Sequence, residues 1–346
     1  MKTELLDYPL PEHLIARHPP RERDGGRLLV LERERRSHRL VRDFAELVPP
    51  GAVVVLNASR VRKARVYGTR KPGGGRVELL FVEAMTPAPD GRERWRALGR
   101  ASKPLRPGSI IECSGFEVEV AGIEQGVFEL WVRASEPVET LLDRVGHVPL
   151  PPYLGRDDEP EDRERYQTVY AERTGSVAAP TAGLHLTASM LERLRAREVD
   201  VRHLDLAVGI GTFRPVSSDD LDQHPMHEES FSVSAGLVDA ITAAKRRGSP
   251  VVAVGTTVVR ALESAAESGE LVACERSTRL LIQPGYRFRV VDALLTNFHQ
   301  PRSTLLALVS AFAGYDAVMA AYADAIERGY RFLSYGDAMF IPERAP

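Results

Sequence analysis

The spacing of apolar residues changes along the chain, and this change restricts the folds that 346 residues can adopt. Residues 66–135 alternate apolar and polar positions with a period near two, most clearly at 116–120 and 127–131. That period is typical of strands with one face in water. Glycine and proline turns separate these segments, so the region predicts a small antiparallel barrel or sandwich.

From about residue 188 onward, helical and strand patterns alternate, which predicts an α/β domain with a largely parallel sheet. Helical patterns cover 190–197, 237–247, 256–268, 304–313 and 317–328, and strand patterns cover 199–208, 250–255, 279–282 and 293–296. The buried-strand pattern at 52–56 fits the same sheet. We therefore predict an α/β domain with a mixed, largely parallel sheet from residues 1–60 plus 155–346. A small antiparallel β-barrel domain, residues 61–154, is inserted into it.

Two segments near the end of the predicted insertion are interpreted as connections. Residues 148–153 hold three prolines, which disfavours a central strand or a helix and favours a hinge. Residues 157–162 are an acidic run with one proline, and this composition favours a solvated loop.

Composition limits the class of protein. The chain is 43% hydrophobic and 27% charged, with a net charge of −2, as in globular proteins. No run approaches the roughly 18 apolar residues of a membrane helix, and residues 1–8 lack an apolar export signal. The two cysteines, Cys113 and Cys274, share no motif. These features predict a cytoplasmic protein without a membrane partner.

Several common catalytic motifs are missing or incomplete. The chain contains no P-loop, HExxH, paired CxxC or nucleophile elbow. Gly209-Ile210-Gly211 begins like a dinucleotide fingerprint, but the third glycine is missing and Pro215 interrupts the expected helix. In the segment 224–228, a proline between two histidines spoils the presentation that a helical metal site needs. No metal site is predicted.

Polar and glycine residues gather after apolar strands in five segments. In parallel α/β sheets, ligands bind at the carboxyl ends of the strands, where such segments meet. Turn and helix-cap chemistry explains any one of them alone, but explains all five together less well. The segments are 175–185, 209–216 with the histidine pair 224–227, 255–260, 296–299 and 331–339.

The same segments carry a resemblance to a known family. The strings GSVAAPTAGLH (175–185), GTFRPV (211–216), HPMH (224–227), GTT (255–257), PGY (284–286), TNFH (296–299) and SYGDAM (334–339) stand in this order. With YQTVYA at 166–171, they resemble the S-adenosylmethionine:tRNA ribosyltransferase-isomerases of queuosine biosynthesis. The resemblance extends from LDYPLP at 6–11 to the C-terminus.

The resemblance implies a fold, a reaction and a set of partners. The expected fold is an α/β domain interrupted by a small β-barrel. The expected reaction moves the ribosyl part of S-adenosylmethionine onto 7-aminomethyl-7-deazaguanine at the wobble position of tRNA. Epoxyqueuosine forms, and adenine and methionine are released. No cofactor is expected beyond S-adenosylmethionine as co-substrate, and the expected state is a monomer.

This chemistry needs a base, an acid, an aromatic face for the sulfonium and a clamp for the amino-acid end. The titratable candidates for catalysis in the matched segments are His185, His227, His299 and Asp337. Which of them is the base stays open, and each histidine is equally compatible with a structural role. The candidates for binding S-adenosylmethionine or the base are Thr181, Gly183, Gly211, Thr212, Thr256, Arg260, Asn297, Phe298, Arg331 and Tyr335. Either Arg260 or Arg331 is expected to hold the methionine carboxylate.

Binding of tRNA needs positive charge. Residues 60–106 hold thirteen Lys or Arg against four Asp or Glu, in a chain that is slightly acidic overall. This density favours phosphate contacts over an ordinary solvated face, and it predicts RNA binding that weakens steeply with salt. The candidate tRNA-binding residues are Arg60, Arg62, Lys63, Arg65, Arg70 and Lys71.

Several positions depart from the family pattern, and three of them lose a histidine or an aromatic residue. Ala207 replaces an expected histidine, Ser277 an expected tryptophan and Gln283 an expected aromatic residue. Two other hypotheses therefore stay open. One is a paralogue that uses S-adenosylmethionine on another 7-deazapurine, and the other is a non-catalytic RNA-binding protein. Salt-sensitive tRNA binding and adenine release distinguish them from the ribosyltransferase-isomerase.

Overall fold

The computed structural model describes residues 1–33, 35–209, 211, 216 and 218–345. Within them, nine strands form one twisted sheet in the order β15-β13-β12-β3-β14-β16-β17-β1-β2. Their bounds are β1 Arg27–Glu32, β2 Arg35–Leu40, β3 Val53–Asn57, β12 Asp200–Leu206, β13 Glu229–Val233, β14 Val251–Val254, β15 Cys274–Thr278, β16 Ala293–Asn297 and β17 Ala338–Ile341.

The four central strands, β12, β3, β14 and β16, run parallel. Strands β3, β14 and β16 are buried along their whole length, as expected for parallel strands covered on both faces. The outer strands β2, β13, β15 and β17 pair antiparallel with at least one neighbour, so the sheet is mixed. The predicted α/β fold is confirmed.

Helices cover both faces of this sheet. The helices are α1 Phe44–Leu47, α2 Val138–Val145, α3 Asp162–Arg165, α4 Ala188–Ala196, α5 Ala235–Arg246, α6 Thr256–Ala265, α7 Thr304–Ala313 and α8 Tyr315–Glu327. Helices α5 to α8 pack on one face around Ile241, Leu262 and Phe312, and α1 and α4 pack on the other around Phe44 and Met190. The two apolar layers bury the sheet between them.

Between the sheet strands β3 and β12 the chain forms a closed antiparallel barrel, in the order β10-β7-β6-β5-β8-β9. Its strands are β5 Arg65–Lys71, β6 Arg76–Met85, β7 Glu93–Ala101, β8 Ile110–Cys113, β9 Phe116–Glu124 and β10 Val127–Arg133. Alternate residues such as Phe81, Trp95 and Leu130 fill its interior. The inserted barrel is therefore confirmed, whereas the exact boundaries at 61 and 154 stay a prediction.

The seam between barrel and sheet domain is held by both backbone and side chains. Short strands β4 (Ser59–Val61) and β11 (Arg173–Ser176) pair in parallel beside it, and Arg65 bridges His147. A buried cluster at the seam includes Val148, Leu150, Tyr166 and Tyr335. The barrel is thus anchored against the segment that returns to the sheet.

Two local predictions are wrong. Residues 279–282 are not a strand, because the ladder with β13 is made by Cys274–Thr278 while Ile282 packs into the core. The acidic run 157–162 is not simply solvated. Asp162 is buried, accepts two hydrogen bonds from Arg156 and one from the hydroxyl of Tyr335, and starts α3.

In the described part of the chain, no single helix is long and apolar enough to cross a membrane. The pair α7 and α8 meets the criteria of length and composition only when taken together, across a bend of 113°.

Candidate functional site

A cavity of about 390 Å³ lies at the carboxyl ends of the central parallel strands. Its size falls in the range of about 300–1,000 Å³ that small-molecule sites occupy. All five sequence segments contribute to its wall, although they are far apart in the chain. Contributors from the five segments include Thr181, Gly211, His227, Thr256, Arg260, Asn297, Phe298, His299, Leu333 and Ser334. The fold thus brings together the segments in which site residues were predicted.

Helix α6 begins at the cavity wall. Strand β14 ends at Val254, Gly255 turns the chain with a φ of 93°, and Thr256 and Thr257 line the cavity at the first turn. The unpaired backbone N–H groups of a helix N-terminus favour a negatively charged ligand group.

One turn into α6, Arg260 forms a buried ion pair with Glu229 of β13. The Arg260 Nε also donates to the Leu280 carbonyl at 3.1 Å, and the Gly209 N–H donates to Glu229 at 3.2 Å. The Nη2 atom of Arg260 is buried and has no hydrogen-bond partner among the described residues. An unpaired guanidinium donor beside a cavity is costly unless a ligand accepts from it.

Asn297, at the end of β16, is held by His185 from behind the cavity. The Asn297 Nδ2 lies 3.0 Å from His185 Nε2 and 3.2 Å from the Leu333 carbonyl, so it donates to both. Burial lowers the pKa of His185 to about 4, which keeps the imidazole neutral and able to accept. His185 therefore orients Asn297, whose buried Oδ1 has no hydrogen-bond partner in the described structure.

His299 and Phe298 follow in the same segment, and both line the cavity. His299 Nε2 lies 2.8 Å from Thr296 Oγ1, and burial lowers the pKa of His299 to about 4. Phe298 packs against Tyr322 and Phe332, with ring centroids 5.2 Å and 4.9 Å away. His299 is thus a neutral hydrogen-bonding group at neutral pH.

The histidine pair near β13 also reaches the cavity. His227 is half-buried beside Gly211, where an added Cβ would lie 3.1 Å from the His227 ring. His224 lines the same wall, and burial lowers its pKa. Thr212, a predicted binding residue, lies outside the described residues, as does most of the GTFRPV segment.

Four predicted site residues lie outside the cavity wall, where they contact other parts of the protein. Asp337 accepts from the backbone N–H of Arg27 at 2.8 Å and of Arg331 at 2.7 Å, and pairs with the Arg27 side chain. Arg331 donates to the Tyr335 carbonyl, and the Tyr335 hydroxyl donates to Asp162. Gly183 leaves room for Tyr170, whose hydroxyl would lie 2.1 Å from an added Cβ. The cavity lining includes none of these four residues.

The predicted tRNA-binding residues are split by the fold. Arg62 is buried, bonded to Glu139 and the Val82 carbonyl and packed on Trp95, so its guanidinium is committed to the barrel. Lys71 forms an ion pair with Glu112 at 2.7 Å. The side chains of Arg60, Lys63 and Arg70 reach solvent, and each donates to one carbonyl oxygen. Arg65 is mostly buried, donates to the Leu150 carbonyl and forms an ion pair with Glu78.

Other cavity residues were missed by the sequence analysis. Tyr153, Tyr166 and Ser334 close the wall on the barrel side, and the Tyr153 hydroxyl lies 2.5 Å from Ser334 Oγ. Glu229 was missed because nothing in the sequence links it to Arg260. Tyr166 and Ser334 stand in strings that carried the family resemblance, and this was the available signal.

The three departures that lose a histidine or an aromatic residue lie in ordinary surroundings. The Ala207 N–H bonds to the Ser230 carbonyl, Ser277 pairs with Ser230 across β15 and β13, and the Gln283 amide bonds to Asp222. Among the described residues, no group of three His, Cys, Asp or Glu side chains is arranged to hold a metal ion.

Comparison with known proteins identifies the family. The family model described as queuosine biosynthesis protein matches residues 3–341. The chain belongs to this family. A protein of Sorangium cellulosum (strain So ce56) is 53% identical over 99% of this chain and 98% of its own length. A protein of Anaeromyxobacter sp. (strain Fw109-5) is 50% identical over 99% of each chain.

Both relatives of this queuosine biosynthesis protein are named S-adenosylmethionine:tRNA ribosyltransferase-isomerase. The crystal structure of S-adenosylmethionine tRNA ribosyltransferase from Thermotoga maritima is 34% identical, with a TM-score of 0.56. It covers 97% of this chain and 99% of its own. These similarities favour the ribosyltransferase-isomerase over both the paralogue and the non-catalytic hypothesis.

Proposed function

We propose that this chain transfers and isomerises the ribosyl part of S-adenosylmethionine onto 7-aminomethyl-7-deazaguanine at the wobble position of tRNA. The products are epoxyqueuosine in tRNA, adenine and methionine. S-adenosylmethionine is the co-substrate, and no metal or other cofactor takes part. The enzyme acts in the cytoplasm as a monomer. The observation that carries the proposal is the convergence of all five family segments on one cavity at the carboxyl ends of parallel strands.

The amino-acid end of S-adenosylmethionine lies at the start of α6. Arg260 Nη2 supplies the donor that lacks a partner within the described residues, and the N-terminus of α6 favours the carboxylate from the same side. Of the two arginines predicted for this role, Arg260 lines the cavity, while Arg331 binds the Tyr335 carbonyl. Glu229 faces the methionine ammonium.

His227 is the general base. Removal of the C5′ proton beside the sulfonium needs a group that holds a proton near neutral pH. Burial lowers the pKa of His185 and His299 to about 4, which makes both weak bases. His227 lines the cavity and is only half-buried. His299 and Asn297 remain as neutral hydrogen-bonding groups for the adenine ring or the sugar.

With these groups, each bond and proton of the reaction is accounted for. His227 takes the C5′ proton, and the electron pair left on carbon is stabilised by the sulfonium. The electron pair on C5′ then expels the ring oxygen from C4′, which opens the furanose to a vinyl sulfonium. The oxygen left on C1′ forms a carbonyl as the bond to adenine breaks, and adenine leaves with the proton that His227 took. The amine of the modified base adds to C4′ and loses a proton, and the carbanion that this restores at C5′ attacks the C1′ carbonyl to close the cyclopentane ring. The resulting alkoxide displaces methionine from C5′ as the epoxide closes, which regenerates the neutral sulfur.

The test is a single-turnover incubation with S-adenosylmethionine and tRNA that carries 7-aminomethyl-7-deazaguanine. Adenine and methionine should appear in equal amounts, only with this tRNA, and together with epoxyqueuosine in the digested RNA. S-adenosylhomocysteine with a methylated nucleoside would overturn the proposal in favour of a methyltransferase. Stable tRNA binding without any adenine would overturn it in favour of a binding protein.

A further inference from the structure

A second cavity, of about 500 Å³, lies on the outside of the barrel. One side is formed by strands β5, β6 and β7, and the other by the returning segment that includes Leu150, Pro152 and Asp157. Pro151 lines both this outer cavity and the cavity at the strand ends. One residue therefore contributes to the walls of both cavities, so the two cavities are neighbours.

Strand register places polar residues of three strands on the outer face of the barrel. Tyr67 of β5 pairs with Glu78 of β6, which in turn pairs with Arg100 of β7. Thr69 pairs with Arg76 in the next row. Residues of the opposite parity, such as Val66, lie in the barrel core. The outer face thus interleaves arginines with an aromatic ring.

Some polar and charged groups on this face have partners, and others do not. Arg65 lies 3.1 Å from Glu78 as an ion pair, and the Tyr67 hydroxyl donates to Asp157 at 3.2 Å. The guanidinium of Arg76 lies 4.7 Å from the centre of the Tyr67 ring. Arg100 is exposed and has no ion pair or hydrogen bond to the described residues. Arg76 is likewise exposed and has no ion pair to the described residues, so two cations on this face lack an anionic partner.

Single-stranded RNA is bound by this combination of groups. Bases stack on aromatic rings and on arginine planes, and phosphates pair with lysine or arginine. An ordinary ion-paired barrel surface occurs elsewhere in this domain, where Arg94 pairs with Glu129 and Arg133 with Glu117. The outer face of β5 to β7 differs in its two arginines without ion pairs and its position beside the inner cavity.

We infer that the outer face formed by Tyr67, Arg76 and Arg100 binds the nucleotide next to the modified base. The base of that nucleotide stacks on the Tyr67–Arg76 pair, and its phosphate pairs with Arg100. The inference rests on the proposed function, since it takes tRNA as the substrate. It adds a binding site that positions the RNA strand so that the modified base enters the inner cavity.

The test compares three variants in binding to a tRNA anticodon stem-loop. Arg100→Gln should weaken binding about fivefold or more and lower the salt dependence by about one phosphate contact. Tyr67→Leu should weaken binding about fivefold or more by removing the stacking ring. Tyr67→Phe keeps the ring and should bind like the unaltered protein. The matched control is Arg247→Gln, since Arg247 is another exposed arginine without an ion pair in the described structure.

A second RNA, abasic at the position beside the modified base, provides the decisive comparison. Tyr67→Leu should have less than a twofold effect on binding of this RNA, because the stacked base is already absent. In turnover, Arg100→Gln and Tyr67→Leu should raise KM for tRNA without changing KM for S-adenosylmethionine or kcat.

The inference would be overturned if Tyr67→Leu and Arg100→Gln bound the stem-loop as tightly as the Arg247→Gln control does. A Tyr67→Leu effect that persists on the abasic RNA would also overturn it. The proposed function fails separately, if the unaltered enzyme releases no adenine. The stem-loop binding assay decides the outer-face site in that case too, because it needs no turnover.

Discussion

Arg260 and Glu229 show how a residue's role depends on a partner that the sequence does not reveal. Arg260 stands one turn into α6, and its partner comes from a strand 31 residues earlier. The rule that ligands bind at the carboxyl ends of parallel strands was enough to predict that Arg260 lies at a site. Only the fold shows that part of its guanidinium is already bound and that Nη2 is left for a ligand.

The double variant Arg260→Gln/Glu229→Gln should weaken S-adenosylmethionine binding about ten- to a hundredfold, because hydrogen bonds to charged groups contribute about 1.5–3 kcal/mol. Changing both residues together avoids leaving a buried charge unpaired. Calorimetric titration measures the effect. Binding of 5′-methylthioadenosine, which lacks the amino-acid end, should change less than twofold. An equal loss for both ligands would contradict the assignment of the carboxylate.

The buried histidines predict how stability depends on pH. Burial lowers the folded-state pKa of His185 and His299 to about 4, below the ordinary value of about 6.5. The unfolded chain therefore binds more protons between these values, and stability falls as the pH drops from about 6.5 toward 4. Urea denaturation should show a loss of about 1–2 kcal/mol per histidine at pH 5 relative to pH 7.5. His299→Gln should show a smaller loss, and an unchanged pH dependence in this variant would contradict the buried neutral state.

The residue scale also explains why some predicted site residues lie outside the cavity wall. Asp337 and Tyr335 were singled out because they stand in a matched segment and can titrate. Sequence does not distinguish a carboxylate that meets substrate from one that accepts two backbone N–H bonds, as Asp337 does.

Among the elements, Asp337 joins the start of β1 to the turn before β17. Asp337→Asn turns an acceptor oxygen into a donor facing N–H groups, and should lower the free energy of unfolding by roughly 2–3 kcal/mol. Urea denaturation measures the loss, and single-turnover assays at low temperature should keep the rate within about threefold. Normal stability with a rate loss of more than a hundredfold would instead make Asp337 a catalytic residue.

Helices and strands whose apolar residues repeat with a clear period were predictable from the sequence. Strands whose position depends on pairing with a distant segment were not. The helical pattern at 304–313 matches α7, and the alternating pattern at 116–120 matches the start of β9. The apolar run at 280–282 correctly indicated a buried segment, but the prediction that this segment pairs as a strand was wrong. Its neighbour β15 is polar and lies at an edge, where pairing with β13 outweighs a weak strand propensity.

At the scale of the whole molecule, the two predicted architectures were confirmed because each has its own period. The convergence of segments from residues 181 to 334 on one cavity follows from parallel strands ending at one edge. The contribution of Tyr153 to that cavity was not predictable, because it depends on how the barrel packs against the sheet domain. The residues that close the cavity thus come from the seam between the two units.

The most direct test of the central claim is the fate of the ribose carbons. S-adenosylmethionine labelled with ¹³C in all of its ribose carbons is incubated with the enzyme and tRNA that carries 7-aminomethyl-7-deazaguanine, and the digested nucleosides are analysed by mass spectrometry. The account predicts that the whole labelled five-carbon unit appears in the modified nucleoside, while the released adenine and methionine carry no label. Label that stays with an adenosine-containing product, with an unlabelled nucleoside, would contradict ribosyl transfer.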